Sequence, residues 1–197
     1  MLETFRIIKK LCSVRSANLT GFDNTFEYEK CLLHIENLID SAILLFKNNY
    51  YEQSTFLIIT ILEEISKAEI CIYRGNGKDI PTVKRGKDGL YNHKLKHHAI
   101  ANDIIFKYLK AREIYGKKTT NDVLLKLKSG AYITIRENAL YFRTINGKCI
   151  VSDESITEKS TKALLSICIE VFDDIFWGLS AQSNVILDRV TEKFRAI

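Results

Sequence analysis

Apolar residues recur every three to four positions along most of the chain, the spacing of helices that bury one face. Over residues 2–17, Phe5, Ile8, Leu11 and Cys12 share a side and predict a short amphipathic helix. Leu19-Thr20-Gly21-Phe22-Asp23-Asn24 reads as a turn, with Asp23 or Asn24 placed to cap the next helix. That long helix carries Leu32, Ile35, Leu38, Ile39, Ala42 and Phe46 and breaks at Asn48-Asn49. A second spans about Tyr51 to Arg74 and stops at Gly75-Asn76-Gly77. After a basic, Gly-containing loop with the only proline, Pro81, a third runs from about Leu90 to Ile114 and ends near Gly116. A fourth starts at caps in Thr119-Thr120-Asn121 and reaches towards Arg143, although Ala131 to Ile135 fits a short strand equally well. Asn146-Gly147 predicts the turn of a small hairpin near 141–151. A fifth helix from Ser155 and a last one after Gly178 complete the chain. The pattern is that of a single all-α antiparallel bundle over residues 1–197, with residues 1–22 as an N-terminal helical extension.

Two helices depart from simple amphipathicity. In 51–74, Leu57, Ile58, Ile61, Leu62, Ile65, Ala68 and Ile72 cover one side, while Phe56, Ile59 and Ile70 make the other apolar too. A helix apolar nearly all round is a central one. Glu63 falls in the second apolar surface, with Lys67 at i+4 as its expected partner, either in a buried pair or in an ordinary surface one. In the helix from Leu90, His93, Lys96 and His97 share a face that Ile100 and Ile104 continue inward. His exchanges protons near neutral pH, and a neighbouring Lys can hold a phosphate oxygen. Two His at i,i+4 also fit a zinc pair, but the Glu of the His-Glu-x-x-His pattern is missing. His34, one turn from Leu38, reads as a core or boundary histidine.

Composition narrows the class. The 197 residues are 46% apolar and 27% charged, which suits one folded domain rather than a disordered chain. The longest apolar run, Phe56 to Leu62, is far short of a membrane span, and Arg6, Lys9 and Lys10 interrupt any signal peptide, so a soluble cytoplasmic protein is expected. The five cysteines have no Cys-x-x-Cys spacing and read as reduced thiols, with Cys31, Cys71 and Cys168 packed as small hydrophobes. Net charge is +5, but residues 74–118 alone hold twelve Lys or Arg against four acids. A basic middle in a slightly acidic body suits a polyanion partner, and equally a solvated helical face. No Gly-rich phosphate loop and no Gly-x-Ser-x-Gly elbow is present.

Taken in order, several segments resemble the AbiV family of phage abortive infection proteins, within the HEPN superfamily. They are Ile61-Leu62-Glu63-Glu64-Ile65-Ser66-Lys67-Ala68, His93-Lys94-Leu95-Lys96, Arg136-Glu137-Asn138-Ala139-Leu140-Tyr141, the Asn146-Gly147 turn and Ser155-Ile156-Thr157. The resemblance covers about residues 25–180. Ser66 stands where the family usually has Gly, Arg143 near a common Asp, and a Pro often found near Ser152 is absent. The resemblance implies a HEPN-like bundle that commonly dimerises and a role in stopping phage growth. Many HEPN relatives are metal-independent ribonucleases with an Arg and a His closely spaced on one helix. Here Arg85 lies too far ahead of His93, so a His93-x-x-Lys96 variant completed by Arg136 and Glu63 is the expected catalytic set.

The function expected is therefore an RNA-directed abortive infection toxin, a ribonuclease leaving 2′,3′-cyclic phosphate ends without metal or cofactor. Lys67, Lys84, Arg85, Lys87, Lys94, His97 and Tyr141 are its expected RNA contacts. The expected partners are RNA (ribosomal or transfer RNA), a second copy in a homodimer, and a phage protein as trigger. The alternative is a non-catalytic binding module that blocks the translation machinery or holds a phage protein.

Overall fold

The computed structural model describes residues 2–18, 20–75, 79–106, 108–151 and 155–197, with side chains for all of these except 2–5, 102–106, 108–112 and 114. Phe5 and Ile104 as side chains, and Leu19, Asn76, Gly77 and Ser152 altogether, lie outside the described residues. The described residues form eight α-helices: α1 (Leu2–Cys12), α2 (Thr25–Lys47), α3 (Tyr51–Arg74), α4 (His93–Phe106), α5 (Tyr108–Ser129), α6 (Ala131–Leu140), α7 (Glu158–Phe176) and α8 (Ala181–Arg195). Two strands, β1 (Arg143–Ile145) and β2 (Lys148–Ile150), make the hairpin. Asn146 and Gly147 both take positive φ, 51° and 76°, as a two-residue hairpin turn requires. The fold is the expected all-α bundle with a small hairpin.

Side-chain caps set several of the helix starts. Asn24 Oδ1 accepts from Glu27 N at 3.1 Å and opens α2. Thr157 with Ser160, and Ser180 with Ser183, form reciprocal capping boxes that open α7 and α8. Asn49, at φ 64°, turns the chain from α2 into α3. Several boundaries differ from expectation. The first helix ends at Cys12, the third starts at His93 rather than Leu90, and α5 starts at Tyr108 and is kinked at Gly116, not opened by caps at 119–121. The fourth is also split, because Gly130 at φ 80° is left-handed and redirects the chain into α6. Residues 131–135 are thereby helical rather than a strand. Their β-branched content is overridden by Tyr132, buried as one face of α6 packs on α3.

α3 is the axis of the bundle, set against α2, α4, α6 and α7 and touching α1. Its Ile58, Ile59, Ile61, Leu62 and Ile65 are fully buried in one core with Ile35 and Ile39 of α2 and Phe172 of α7 among others. Two polar contacts cross this core: Ser54 Oγ donates to Ala42 O at 2.9 Å, and the hydroxyls of Thr55 and Thr161 bond at 3.0 Å. Helices of the same chain cover α3 on both sides, so its all-round apolar surface is buried without a second copy. His34 is exposed on α2, not a core or boundary residue, because its face of the helix turns to solvent. Cys71 and Cys168 are buried and Cys31 half-buried, as expected of small hydrophobes.

The N-terminal extension is built into this frame. Leu11 packs with Ile70, Cys71, Leu90 and Ala99, joining α1 to α3, α4 and the turn before α4. Arg74, at the end of α3, is fully buried beside Asp88. Its Nη2 donates to Asp88 Oδ1 at 2.8 Å and to Val14 O at 2.9 Å, and its Nε to Leu11 O at 3.2 Å. Asp88 also accepts from Ser16 N at 2.8 Å and Leu90 N at 3.0 Å. Burial would raise the Asp88 carboxyl, but the Arg74 guanidinium and these two amides hold it below the usual range. One buried pair thus ties α1, α3 and the basic loop together. Truncating Asp88 to Ala removes a carboxylate from the buried guanidinium, which should cost about 3–5 kcal/mol in urea unfolding. A loss under 1 kcal/mol would mean that the loop is held by its apolar contacts alone.

Candidate functional site

Asn92 opens α4 by accepting Leu95 N on its side-chain oxygen at 3.1 Å. This fixes His93 in the first turn, with Lys96 and His97 one turn on and on the same face. That face meets Glu63, which points sideways from the middle of α3 and is 3% exposed. Four donors converge on its carboxylate. Oε2 accepts from His93 Nδ1 at 2.6 Å and Lys96 Nζ at 2.7 Å, and Oε1 from Arg136 Nη1 of α6 at 2.9 Å and His97 Nε2 at 3.1 Å. Two bonds on each oxygen saturate the carboxylate. Burial on its own would raise the pKa of Glu63, but the bonds from His97, Lys96 and His93 outweigh it and hold the group far below the usual carboxylate range.

The carboxylate also fixes the protons of the two imidazoles. A ring nitrogen facing an anionic oxygen at hydrogen-bond distance must carry the hydrogen, so His93 is protonated at Nδ1 and His97 at Nε2. The 3.2 Å approach of Arg136 Nη1 to His93 Nδ1 is therefore a contact between two donors, both serving Glu63. His97 is fully buried, and its Nδ1 has no hydrogen-bond partner among the described residues. His93 differs. Its side chain is 43% exposed, and Nε2, with no bond to the described residues, is the nitrogen left to solvent.

Beside His93 opens a cleft of about 580 Å³ lined by Lys67, Arg85, Gly86, Leu90, Tyr91, His93 and Lys96. Arg85 sits in a short 3-10 turn (Arg85–Lys87) with its Cζ 4.5 Å from the centre of the Tyr91 ring. The Arg74–Asp88 pair anchors the segment that bears both. Basic groups thus line the cleft, and the partly exposed imidazole of His93 is among them.

The expected residues separate accordingly. Glu63, His93, Lys96, His97 and Arg136 come together, and Lys67 and Arg85 join His93 and Lys96 at the cleft. Lys67 does not pair with Glu63: its Nζ lies 2.6 Å from Glu64 Oε2, at i,i+3 on the outer side of α3, because Glu63 turns towards α4 and α6. His97 is sealed under the cluster and cannot touch RNA. Lys84 and Lys87 are exposed on the loop outside the cleft lining, and Lys94 is exposed on α4 beside Gly130. Tyr141, just past α6, is 66% exposed and away from the cleft. The zinc pair is not formed either. His93 Nδ1 and His97 Nε2 are taken up by Glu63, with Lys96 and Arg136 standing where a metal cation would be repelled. Tyr91 and Asp88 were missed by sequence reasoning; a buried Asp three residues before a loop aromatic leaves no periodic signal.

Replacing Glu63 with Gln keeps the shape but removes the charge facing Lys96 and Arg136, and should destabilise the fold by about 3–5 kcal/mol. The pH dependence has a definite sign. Because the folded pKa lies below the ordinary 4.5, the stabilisation is complete above that value and is lost as pH falls through the folded one. Unfolding free energies of wild type and Glu63→Gln should therefore differ most at neutral pH, and the difference should narrow as pH falls from 5 to 3. A constant difference across that range would mean that the carboxylate is not the group responsible.

Among the described residues no helix is long and apolar enough to cross a membrane. Searches of curated proteins and of solved structures returned no match. The HEPN_AbiV family, described as AbiV, matches residues 27–172, which include α3, α4, α6 and every residue of the Glu63 cluster. With most of its length inside that match and an all-α fold around it, the chain belongs to the AbiV family of the HEPN superfamily.

Proposed function

We propose that the protein is an abortive infection toxin that cleaves RNA without a metal ion. Family membership associates it with phage defence. The observation that carries the catalytic reading is the division of labour in His93: Nδ1–H is bound to Glu63, and Nε2 is left free beside a cationic cleft. A carboxylate that fixes the tautomer and orientation of an imidazole prepares its other nitrogen as a general base.

In the proposed reaction His93 Nε2 takes the proton of a ribose 2′-OH. The 2′-oxygen attacks the adjacent phosphorus, the bond to the 5′-oxygen breaks, and that oxygen takes a proton from solvent. The products are a 2′,3′-cyclic phosphate and a 5′-hydroxyl. Lys96, which lines the cleft while one of its three N–H groups is held by Glu63, stabilises charge on the phosphate, with Lys67 and Arg85 attracting the strand. Arg136 was expected on the phosphate, but its Nη1 serves Glu63, so its part is to hold the cluster. Glu63 is a positioning residue. The RNA, ribosomal or transfer, approaches over the exposed Lys84 and Lys87, and a phage protein is the proposed trigger.

The inward turn of Arg136 favours a second reading, a non-catalytic module that uses the same basic cleft to block the translation machinery. Purified protein incubated with total RNA in EDTA distinguishes them. The ribonuclease reading expects discrete fragments with cyclic phosphate ends, abolished by His93→Ala and reduced at least about tenfold by Lys96→Met. Intact RNA with arrested translation would replace it with the second reading.

Pairing of two copies belongs to the proposal on a new footing. Tyr141, Phe142, Ile145 and Val151, on and beside the hairpin, are exposed apolar residues, and a two-stranded hairpin is marginal in water unless covered. Solution scattering should give twice the chain's 22.7 kDa, reduced to one copy by Phe142→Asp. A monomer mass at all concentrations would remove the dimer from the proposal.

A further inference from the structure

The cleft beside His93 holds more than charge. Tyr91 is half-buried in its wall, and Arg85, exposed to solvent, lies over the ring with its Cζ 4.5 Å from the centre. Neither Arg85 nor Tyr91 makes a side-chain hydrogen bond or ion pair to the described residues. Lys67 and Lys96, by contrast, each face a carboxylate. Arg85 is thus the cleft-lining Lys or Arg without an anionic partner among the described residues, and it is held in place by an aromatic plane. Leu90, fully buried but for 1%, adds an apolar floor.

A guanidinium held on an aromatic ring is a surface on which a planar, polarisable group can lie. A phosphate alone would need only the cations. A nucleobase uses the plane, and its phosphate then falls towards the Lys67 and Lys96 ammonium groups and the open nitrogen of His93. The cleft, at about 580 Å³, is roomy enough for one nucleotide. We propose that Arg85 and Tyr91 form a base-stacking platform that takes one unpaired nucleotide of an RNA strand into the cleft and sets its phosphate beside His93. This rests on the reading of the cleft as an RNA site and adds what selects the strand. Bases within a duplex are already stacked, and the A-form grooves present edges rather than faces. The platform therefore admits loops, bulges and ends, and a helical stem is refused. The anchoring pair Arg74–Asp88 acts here through the loop, as a positioning device for Arg85 and Tyr91.

The experiment measures binding apart from cleavage. Full-length wild-type protein is titrated by fluorescence anisotropy into a fully 2′-O-methylated oligoribonucleotide, which cannot be cleaved through its 2′ position. The oligonucleotide is used single-stranded or annealed to its complement, and adenosine monophosphate serves as competitor. Single-strand binding should exceed duplex binding at least about tenfold. Tyr91→Ala should weaken it by about tenfold or more, the size of one lost base stack, while Tyr91→Phe retains it. Arg85→Lys, which keeps the charge but loses the plane, should weaken it as Tyr91→Ala does, and circular dichroism confirms that each variant is folded. Equal affinity for the duplex, or wild-type binding by Tyr91→Ala or Arg85→Lys, would overturn the platform. Competition by the mononucleotide at concentrations matching the oligonucleotide's would assign the cleft to a free nucleotide and overturn the strand reading. The two proposals fail separately. Platform-dependent binding with no cleavage of natural RNA sinks only the ribonuclease, and cleavage untouched by Tyr91→Ala sinks only the platform.

Discussion

A carboxylate buried in the middle of an apolar helix has to be neutralised, and the bundle is arranged around how Glu63 meets that requirement. Nothing on α3 itself serves. Lys67 is committed to Glu64 and the Thr60 hydroxyl to Phe56 O, and no side chain of α3 bonds Glu63 among the described residues. The donors come from α4, which contributes three, and from α6, which contributes Arg136. Charge-assisted bonds are directional and strong, so they fix the rotation of α4 and the depth of α6 against α3 more sharply than apolar packing does. A buried ion cluster of this kind stabilises little against a hydrophobic alternative of equal volume, but its breakage is costly. What it gives the fold is one arrangement of three helices rather than several.

A second buried ion pair acts at the end of the same helix. Arg74 lies eleven residues beyond Glu63, about 16 Å along the axis at the usual helical rise. Between these two fixed points hang the basic loop, the turn at Tyr91 and the first turn of α4. The cleft is the space they enclose. Residues 2–16 contribute through Leu11, Val14 and Ser16, which satisfy Arg74 and Asp88. These residues lie outside the matched 27–172, so part of what shapes the cleft in this chain comes from its own extension.

The parts of this arrangement that obey local rules were legible in the sequence. The helices came from their periodicity, the hairpin from Asn146-Gly147, and the central place of α3 from apolar residues on both sides. Glu63 stood out as a charge in the wrong surroundings, and the shared face of His93, Lys96 and His97 came from helical geometry. The partner of Glu63 was not legible. The i,i+4 rule looks only along one helix and selects Lys67, whereas the actual donors lie 30 to 73 residues away. Likewise the burial of His97, the inward turn of Arg136 and the exposure of His34 depend on which face meets a neighbour. Residues 131–135 show the same limit, since their β-branched side chains agree with either structure until α3 provides a surface for Tyr132.

Exposure grades across the Glu63 cluster, and the grading separates the structural from the chemical end. His97 is fully buried, Lys96 and Arg136 retain 7% and 16% of their side-chain surface, and His93 retains 43%. A network needed only to fix the helices would be sealed throughout, as the Arg74–Asp88 pair is. This one opens most widely at His93, beside the cleft that Lys96 also lines, and leaves the second nitrogen of that imidazole without a bond to the described residues. The buried members are then best understood as the support of His93: they hold its tautomer, its orientation and the charge behind it. That is why the ribonuclease reading rests on His93 even without an Arg at the spacing usual among HEPN enzymes.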